Sequence, residues 1–143
     1  MGLFSMIKRH LFNAFREVLI YHHNSLEFRA KLFALIIAVN GEGNDEVFDS
    51  VKASGMAIYN DDDRAEALVL TTKEIIAKVH DDNGLNEDLL IQDIVKEMKE
   101  IPRYRNKINT RQLQKIVDFT TDDDIRSYQE NILEFLDKAK AGA

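Results

Sequence analysis

Apolar residues recur every three or four positions along most of the chain, which is the spacing of one face of an α-helix. Seven segments show this spacing, and polar turns containing Gly, Asn or Asp separate them. No segment longer than a few residues alternates apolar and polar positions as a half-buried strand does. The pattern predicts an all-α fold, a single compact bundle of about seven helices.

Capping residues, glycines and one proline predict where these helices begin and end. Gly55 in the third helix would allow close helix contact, and Pro102 ends the fifth helix. The predicted N-caps are Ser25, Asn44, Asn86 and Asn109 or Thr110. Two runs of three Asp, 61–63 and 122–124, open helices, because the helix dipole favours negative charge at an N-terminus. The last two predicted helices carry Phe119, Tyr128, Ile132, Phe135 and Leu136 on their inward stripes. The predicted helices cover 3–20, 25–39, 44–60, 61–80, 86–101, 109–119 and 121–139.

A chain of 143 residues with 45% apolar and 31% charged residues has the size and composition of one globular domain. One Pro and six Gly, with no Gly/Ser-rich or Pro-rich stretch, leave no obvious linker. We expect residues 1–143 to form a single helical domain, with a basic amphipathic N-terminal helix at 1–21 and an acidic helical body at 25–143. Residues 1–35 carry five Lys or Arg and two Glu, a charge of +3, so the net charge of −6 leaves −9 on the remainder.

Composition excludes several classes of function. The absence of Cys removes disulfides, thiolate metal sites and cysteine nucleophiles. An acidic body repels phosphate backbones, so we expect no duplex nucleic acid as a partner. The longest apolar run, 32–39, has eight residues against the roughly 20 that cross a bilayer. Because the opening residues also do not follow the order of a secretory signal, we expect a cytoplasmic protein.

Two stretches, 35–46 and 75–89, share one plan: an apolar helix, an acidic turn with Gly and an acidic helix start. One interpretation is an internal repeat, with two helix pairs packed about a pseudo-twofold axis. The alternative is that any two helices joined by a Gly stop and an Asn or Asp cap have the same plan. Both interpretations stay open at this level.

The turns of these stretches resemble those of the TerB-like family, which includes the tellurite-resistance protein TerB and the N-terminal domain of DjlA-type co-chaperones. The family motif usually reads Ala-Asp-Gly, with a Glu six positions after the Gly. Here the first copy has Asn40-Gly41 with Glu46 five positions later, and the second copy has Asn83-Gly84 with its acids nearer. The resemblance covers nearly the whole chain and implies an all-α domain of about seven helices, a role in stress response and a metal site.

The acids of the two turns lead to a divalent-cation hypothesis. Carboxylate oxygens suit Ca²⁺ or Mg²⁺, and a pseudo-twofold arrangement would bring both turns to one place. The spacing is not that of an EF-hand loop, whichever turn Gly is placed at the sixth position. Plain helix capping by solvated carboxylates is the alternative. The candidate metal ligands are Asp45, Glu46, Asp82 and Glu87.

No catalytic motif is present, because the sequence lacks a nucleophile elbow, a phosphate-binding glycine loop, a dinucleotide fingerprint and a zinc-type His spacing. The leading interpretation is a non-enzymatic binding or stress-response module with an unidentified protein partner. The alternative is a metal-assisted hydrolase, since carboxylates such as Glu74, Asp81 and Asp118 could come together only in the fold.

Two basic segments could meet a partner. The N-terminal helix could lie on an anionic membrane, fill a partner's groove, pack within the bundle or form a homodimer through its apolar face. Segment 103–107, with Arg103, Arg105 and Lys107, could contact a phosphate or an acidic protein surface, or be an exposed connector. The membrane-facing residues would be Leu3, Phe4, Ile7, Lys8, Arg9, Leu11 and Phe15.

Overall fold

The computed structural model of the protein describes residues 24–81 and 87–142. The first predicted helix, with its membrane-facing residues, lies outside the described residues, and so do the predicted cap Asn86 and the candidate ligand Asp82. The described chain forms six α-helices, one 3-10 helix and no strand, so the all-α fold class is confirmed. The elements are α1 (Asn24–Ala38), α2 (Asp45–Tyr59), α3 (Asp62–His80), α4 (Glu87–Glu100), the 3-10 helix (Pro102–Lys107), α5 (Thr110–Val117) and α6 (Asp123–Lys140).

Helix α1 is the centre of the bundle. Every residue from Leu32 to Ala38 is buried, so this helix is apolar on all sides rather than along one stripe. Helices α3, α4 and α5 and the 3-10 helix pack around it. Helix α2 packs on α3 and α5, and α6 packs on α5. The core is therefore one continuous cluster built on α1.

Four helices begin at side-chain caps that the sequence predicts. Asn44, Asp61, Asn109 and Asp122 each accept a hydrogen bond from a backbone N–H in the first turn of the following helix. Such caps satisfy N–H groups that have no partner within the helix. The predicted start of α1 is off by one position, because α1 already includes Asn24 and the predicted cap residue Ser25 lies inside it.

Helices α2 and α3 approach each other at Gly55. A Cβ atom added at Gly55 would lie 2.9 Å from the Cα atom and 3.0 Å from the Cβ atom of Ala65. The missing side chain of Gly55 therefore permits a close contact between these helices, as the sequence predicts. Because the turn at 60–61 is short and the pair is antiparallel, the start of α2 and the end of α3 lie at the same end of the bundle.

The 3-10 helix is an element that the sequence pattern did not predict. It follows α4 at Pro102, which the sequence correctly predicts as a helix stop. Tyr104 is buried and its ring centroid lies 4.9 Å from that of Phe28 in α1. Ile108, directly after the 3-10 helix, is also fully buried, so this segment is anchored to the core at two points.

The inward placement of Phe119, Tyr128 and Phe135 is wrong, because these side chains are 40%, 44% and 44% exposed. Ile132 and Leu136 are buried as predicted, and α6 also buries the amide of Gln129. The Nε2 group of Gln129 donates a hydrogen bond to the backbone carbonyl of Ile36, at 2.9 Å. A carbonyl near the end of α1 needs a donor, and a buried Gln supplies one where an apolar residue could not.

The described helices include none that is both long enough and apolar enough to span a bilayer.

Candidate functional site

The candidate site is the end of the bundle where the predicted acidic turns lie. Asp45 and Glu46 are exposed in the first turn of α2, and Glu87 is the first residue of α4. Because Asn44 is the cap of α2, the carboxylates of Asp45 and Glu46 are not used as the cap. Asp82 lies outside the described residues, so the four-residue set stays a prediction.

A hydrogen bond joins the end of α3 to the turn between α1 and α2. The Nε2 group of His80, the last residue of α3, lies 2.8 Å from the carbonyl oxygen of Gly41 in the turn between α1 and α2. A carbonyl oxygen only accepts, so Nε2 carries the hydrogen and donates it. The end of α3, two positions before residue 82, is therefore in contact with the turn between α1 and α2, which precedes Asp45.

The turn between α1 and α2 depends on its two glycines. Gly41 and Gly43 have φ angles of 109° and 88°, a region that L side chains rarely adopt. A Cβ atom at Gly43 would also lie 2.9 Å from the ring of Phe48. The glycine of the Asn40-Gly41 motif therefore has a local structural reason in its positive φ angle, and Gly43 is required also because the chain passes close to Phe48.

A third turn, which the sequence interpretation missed, joins this end of the bundle. The Nδ2 group of Asn40 donates to the hydroxyl oxygen of Thr120, at 3.3 Å, which links the α1–α2 turn to the α5–α6 turn. Thr120 is buried, and the side chain of Arg126 donates to its backbone carbonyl. A signal was present in the sequence, because an apolar helix followed by a polar turn and an Asx cap precedes α6 just as it precedes α2.

The donor set at this end is chemically suited to a hard cation but incomplete in the described residues. Asp45, Glu46 and Glu87 offer only carboxylate oxygens, the ligands that Ca²⁺ and Mg²⁺ prefer. Among residues 24–81 and 87–142, no three His, Asp or Glu side chains form a group that could hold a metal ion. A cation site at this end would therefore require a ligand from segment 82–86.

The carboxylates named for a hydrolase do not assemble. Glu74, Asp81 and Asp118 are all described, and they do not form a group of three ligands. Asp118 instead accepts a hydrogen bond from Gln114, one turn earlier in α5. The two Asp runs behave as predicted, since Asp61 and Asp122 accept backbone hydrogen bonds and the other members of each run lie in the first helical turn.

A groove of about 380 Å³ with charged walls lies between α5 and α6. Arg111, Lys115, Asp118 and Asp137 line it, with Leu133 at its base. Thr110 donates its hydroxyl hydrogen to Asp137, at 2.9 Å. Charges of both signs line the groove, and its carboxylates accept hydrogen bonds from neighbouring hydroxyl and amide groups.

A half-buried ionic cluster ties α1 to α4 on the side of the bundle. The Nζ atom of Lys31 lies 2.6 Å from Asp93 and 3.1 Å from Glu97. Burial lowers the pKa of Lys31, but hydrogen bonds and the charges of the two acids raise it by more, so it stays above 10.5. Burial raises the pKa of Glu97, and Lys31, which is shared with Asp93, offsets this only in part. This cluster holds one cation between two acids and is a structural feature.

No family model, curated protein or solved structure matches the chain. The resemblance to the TerB-like family stays a prediction, and the acidic turns are the feature of this chain that points to a function.

Proposed function

We propose that the protein is a non-enzymatic TerB-like helical binding module and that a divalent cation, Ca²⁺ or Mg²⁺, binds at its acidic turns. The observation that carries the proposal is the hydrogen bond between His80 and Gly41, which joins the end of α3 to the α1–α2 turn, 39 positions earlier in the chain. The proposed ligands are the carboxylates of Asp45, Glu46, Asp82 and Glu87.

Three further features support a cation at this end. All four proposed ligands are carboxylates, which matches the oxygen preference of Ca²⁺ and Mg²⁺. Asp45 and Glu46 are exposed and lie within five residues of Gly41, the residue that His80 contacts. The excess of negative charge outside the N-terminal region also favours a cation over an anion at these turns.

The proposed setting is a stress-response role in the cytoplasm with a protein partner. The absence of Cys from the sequence is typical of a protein that does not depend on an oxidising compartment. The aromatic side chains of Tyr128 and Phe135 on α6 add exposed apolar area of the kind found in protein interfaces. Partner identity and homodimer formation are separate questions for the purified protein.

Isothermal titration of the chelator-treated protein with Ca²⁺, Mg²⁺ and Mn²⁺, with thermal melts of the same samples, tests the cation. We expect stoichiometric binding of at least one ion and a higher melting temperature in its presence, because a ligand that binds only the folded state stabilises it. Glu46→Gln and Asp82→Asn should each weaken binding by about tenfold, the effect of losing one charge-assisted contact.

Asp63→Asn is the matched control. It removes the same charge from the first turn of α3, which lies at the end of the α2–α3 pair away from His80. Affinity should be unchanged in this variant. No heat of binding with any of the three ions would reject the cation site and leave the carboxylates as solvated charges at helix N-termini. Equal losses in Asp63→Asn and Glu46→Gln would show a general charge effect instead of a site.

A further inference from the structure

A small cleft lies between α1, the end of α2 and the segment that joins the 3-10 helix to α5. It has a volume of about 10 Å³, which is room for one water-sized group. Apolar and polar side chains line it, and among the described residues none that line it is acidic. The apolar lining residues are Leu32, Phe33, Ile58 and Leu113, and the polar ones, here called the rim, are Arg29, Lys107, Asn109 and Gln112.

Arg29 is held in position at this rim without a carboxylate. Its Nη1 group donates to the hydroxyl oxygen of Tyr59, at 3.2 Å, and its guanidinium carbon lies 5.3 Å from the centroid of the Tyr59 ring. A guanidinium group has five N–H donors, so this single bond leaves others available. Burial raises the pKa of Tyr59, so the phenol stays neutral and does not supply a negative charge.

Lys107 is the second cation of the rim, and the described residues provide no ion pair for it or for Arg29. Both side chains are half-buried, a setting in which cations are usually paired. Asn109 uses its Oδ1 atom to cap α5, accepting from the backbone N–H of Gln112 at 3.2 Å. Its free polar group is then the NH₂ donor. The rim therefore offers donors and positive charge with no acid to satisfy them.

We propose that this cleft binds a small oxyanion, a phosphate or carboxylate group, held by Arg29 and Lys107. Because the cleft admits only one water-sized group, one oxygen would enter it and the rest of the anion would lie at the mouth. Ile58 is 13 positions from the start of α2, about 20 Å along the helix at 1.5 Å per residue. The cleft is thus remote from the acidic turns and independent of the cation proposal.

An NMR titration of the ¹⁵N-labelled full chain with inorganic phosphate, and separately with acetate, tests this site. Ionic strength is held constant with sodium chloride, so that general screening does not change. We expect saturable shifts of the side-chain amide signals of Asn109 and Gln112 with at least one anion. Lys107→Gln should weaken that binding by about tenfold, the effect of losing one charge-assisted hydrogen bond.

Lys99→Gln is the matched control, because Lys99 is an exposed lysine of α4 and does not line the cleft. Arg29→Lys retains the charge but loses the planar fork, and it should also weaken binding. A thermal melt of each variant checks that it is folded, and Lys107→Gln alone suffices if Arg29→Lys unfolds. Preference for phosphate or for acetate identifies the oxyanion. Unsaturable shifts with both anions, or equal affinity in Lys107→Gln and wild type, would overturn the proposal.

Discussion

At the scale of single residues, Gly55 determines how closely α2 and α3 pack. Gly55→Ala should destabilise the protein by about 1–3 kcal/mol, because the new Cβ atom would lie 2.9 Å from the backbone of Ala65. Chemical denaturation of both proteins measures the change. At a helix position with open space the same substitution would stabilise the protein by about 1 kcal/mol. The sign of the change therefore shows whether Gly55 lies in a close contact.

The control for this prediction is Ala53→Gly, two positions earlier on an exposed part of α2. This variant should lose about 1 kcal/mol through helix propensity alone. A Gly55→Ala variant that is more stable than wild type would show that α2 and α3 are not in the close contact described above.

At the scale of elements, the predicted inward stripe of α6 is correct for Leu136 and wrong for Phe135. The neighbouring residues Phe135 and Leu136 show the difference, because Phe135 is 44% exposed and Leu136 is 1% exposed. Leu136→Ala should cost about 2–5 kcal/mol, as expected for a cavity in a core. Phe135→Ala should cost less than half as much, since its ring remains partly in water in the folded state.

Denaturation midpoints of the two variants, measured side by side, check this orientation. The two substitutions affect adjacent positions of one helix, so helix propensity contributes similarly to both. A larger loss for Phe135→Ala than for Leu136→Ala would mean that Phe135 lies inward, as the sequence predicts.

At the scale of the whole molecule, the cluster around Glu97 makes stability depend on pH. Glu27 and Lys31 of α1, Asp93 and Glu97 of α4, and Tyr104 of the 3-10 helix interact electrostatically there. Burial raises the pKa of Glu97 above 4.5, so the folded state binds this proton more tightly than the unfolded chain does. The contribution of Glu97 to the free energy of unfolding therefore falls as pH rises from below 4.5 through the folded pKa.

Glu97→Gln removes this titration. The variant should match wild type below pH 4.5, where Glu97 is protonated, and should be more stable at pH 7 by about 1 kcal/mol or less, since solvent screens a half-exposed group. Urea denaturation at both pH values measures the difference. Glu100→Gln, at an exposed position of the same helix, should differ from wild type by the same free energy of unfolding at both pH values. A loss of stability at pH 7 in Glu97→Gln would mean that the bond to Lys31 outweighs the cost of burial.

Most helix boundaries could be predicted from the sequence because their causes are local. Asn44, Asp61 and Asn109 each cap a helix by bonding to a backbone N–H three positions away, and Pro102 ends α4 by its own covalent geometry. The 3-10 helix could not be predicted in this way, since Tyr104 is held by its contact with Phe28, 76 positions earlier in the chain.

The candidate site shows the same division. Three properties follow from the sequence alone: the turns are acidic, Gly41 and Gly43 permit tight reversal, and helices rather than strands surround them. The reason is that charge, backbone freedom and hydrophobic period are properties of short segments. Folding is needed to form the hydrogen bonds of His80 to Gly41 and of Asn40 to Thr120. It also brings Arg29 and Lys107 to one cleft. These contacts join residues separated by 39 to 80 positions in the chain, and they form only when the apolar faces around α1 have packed.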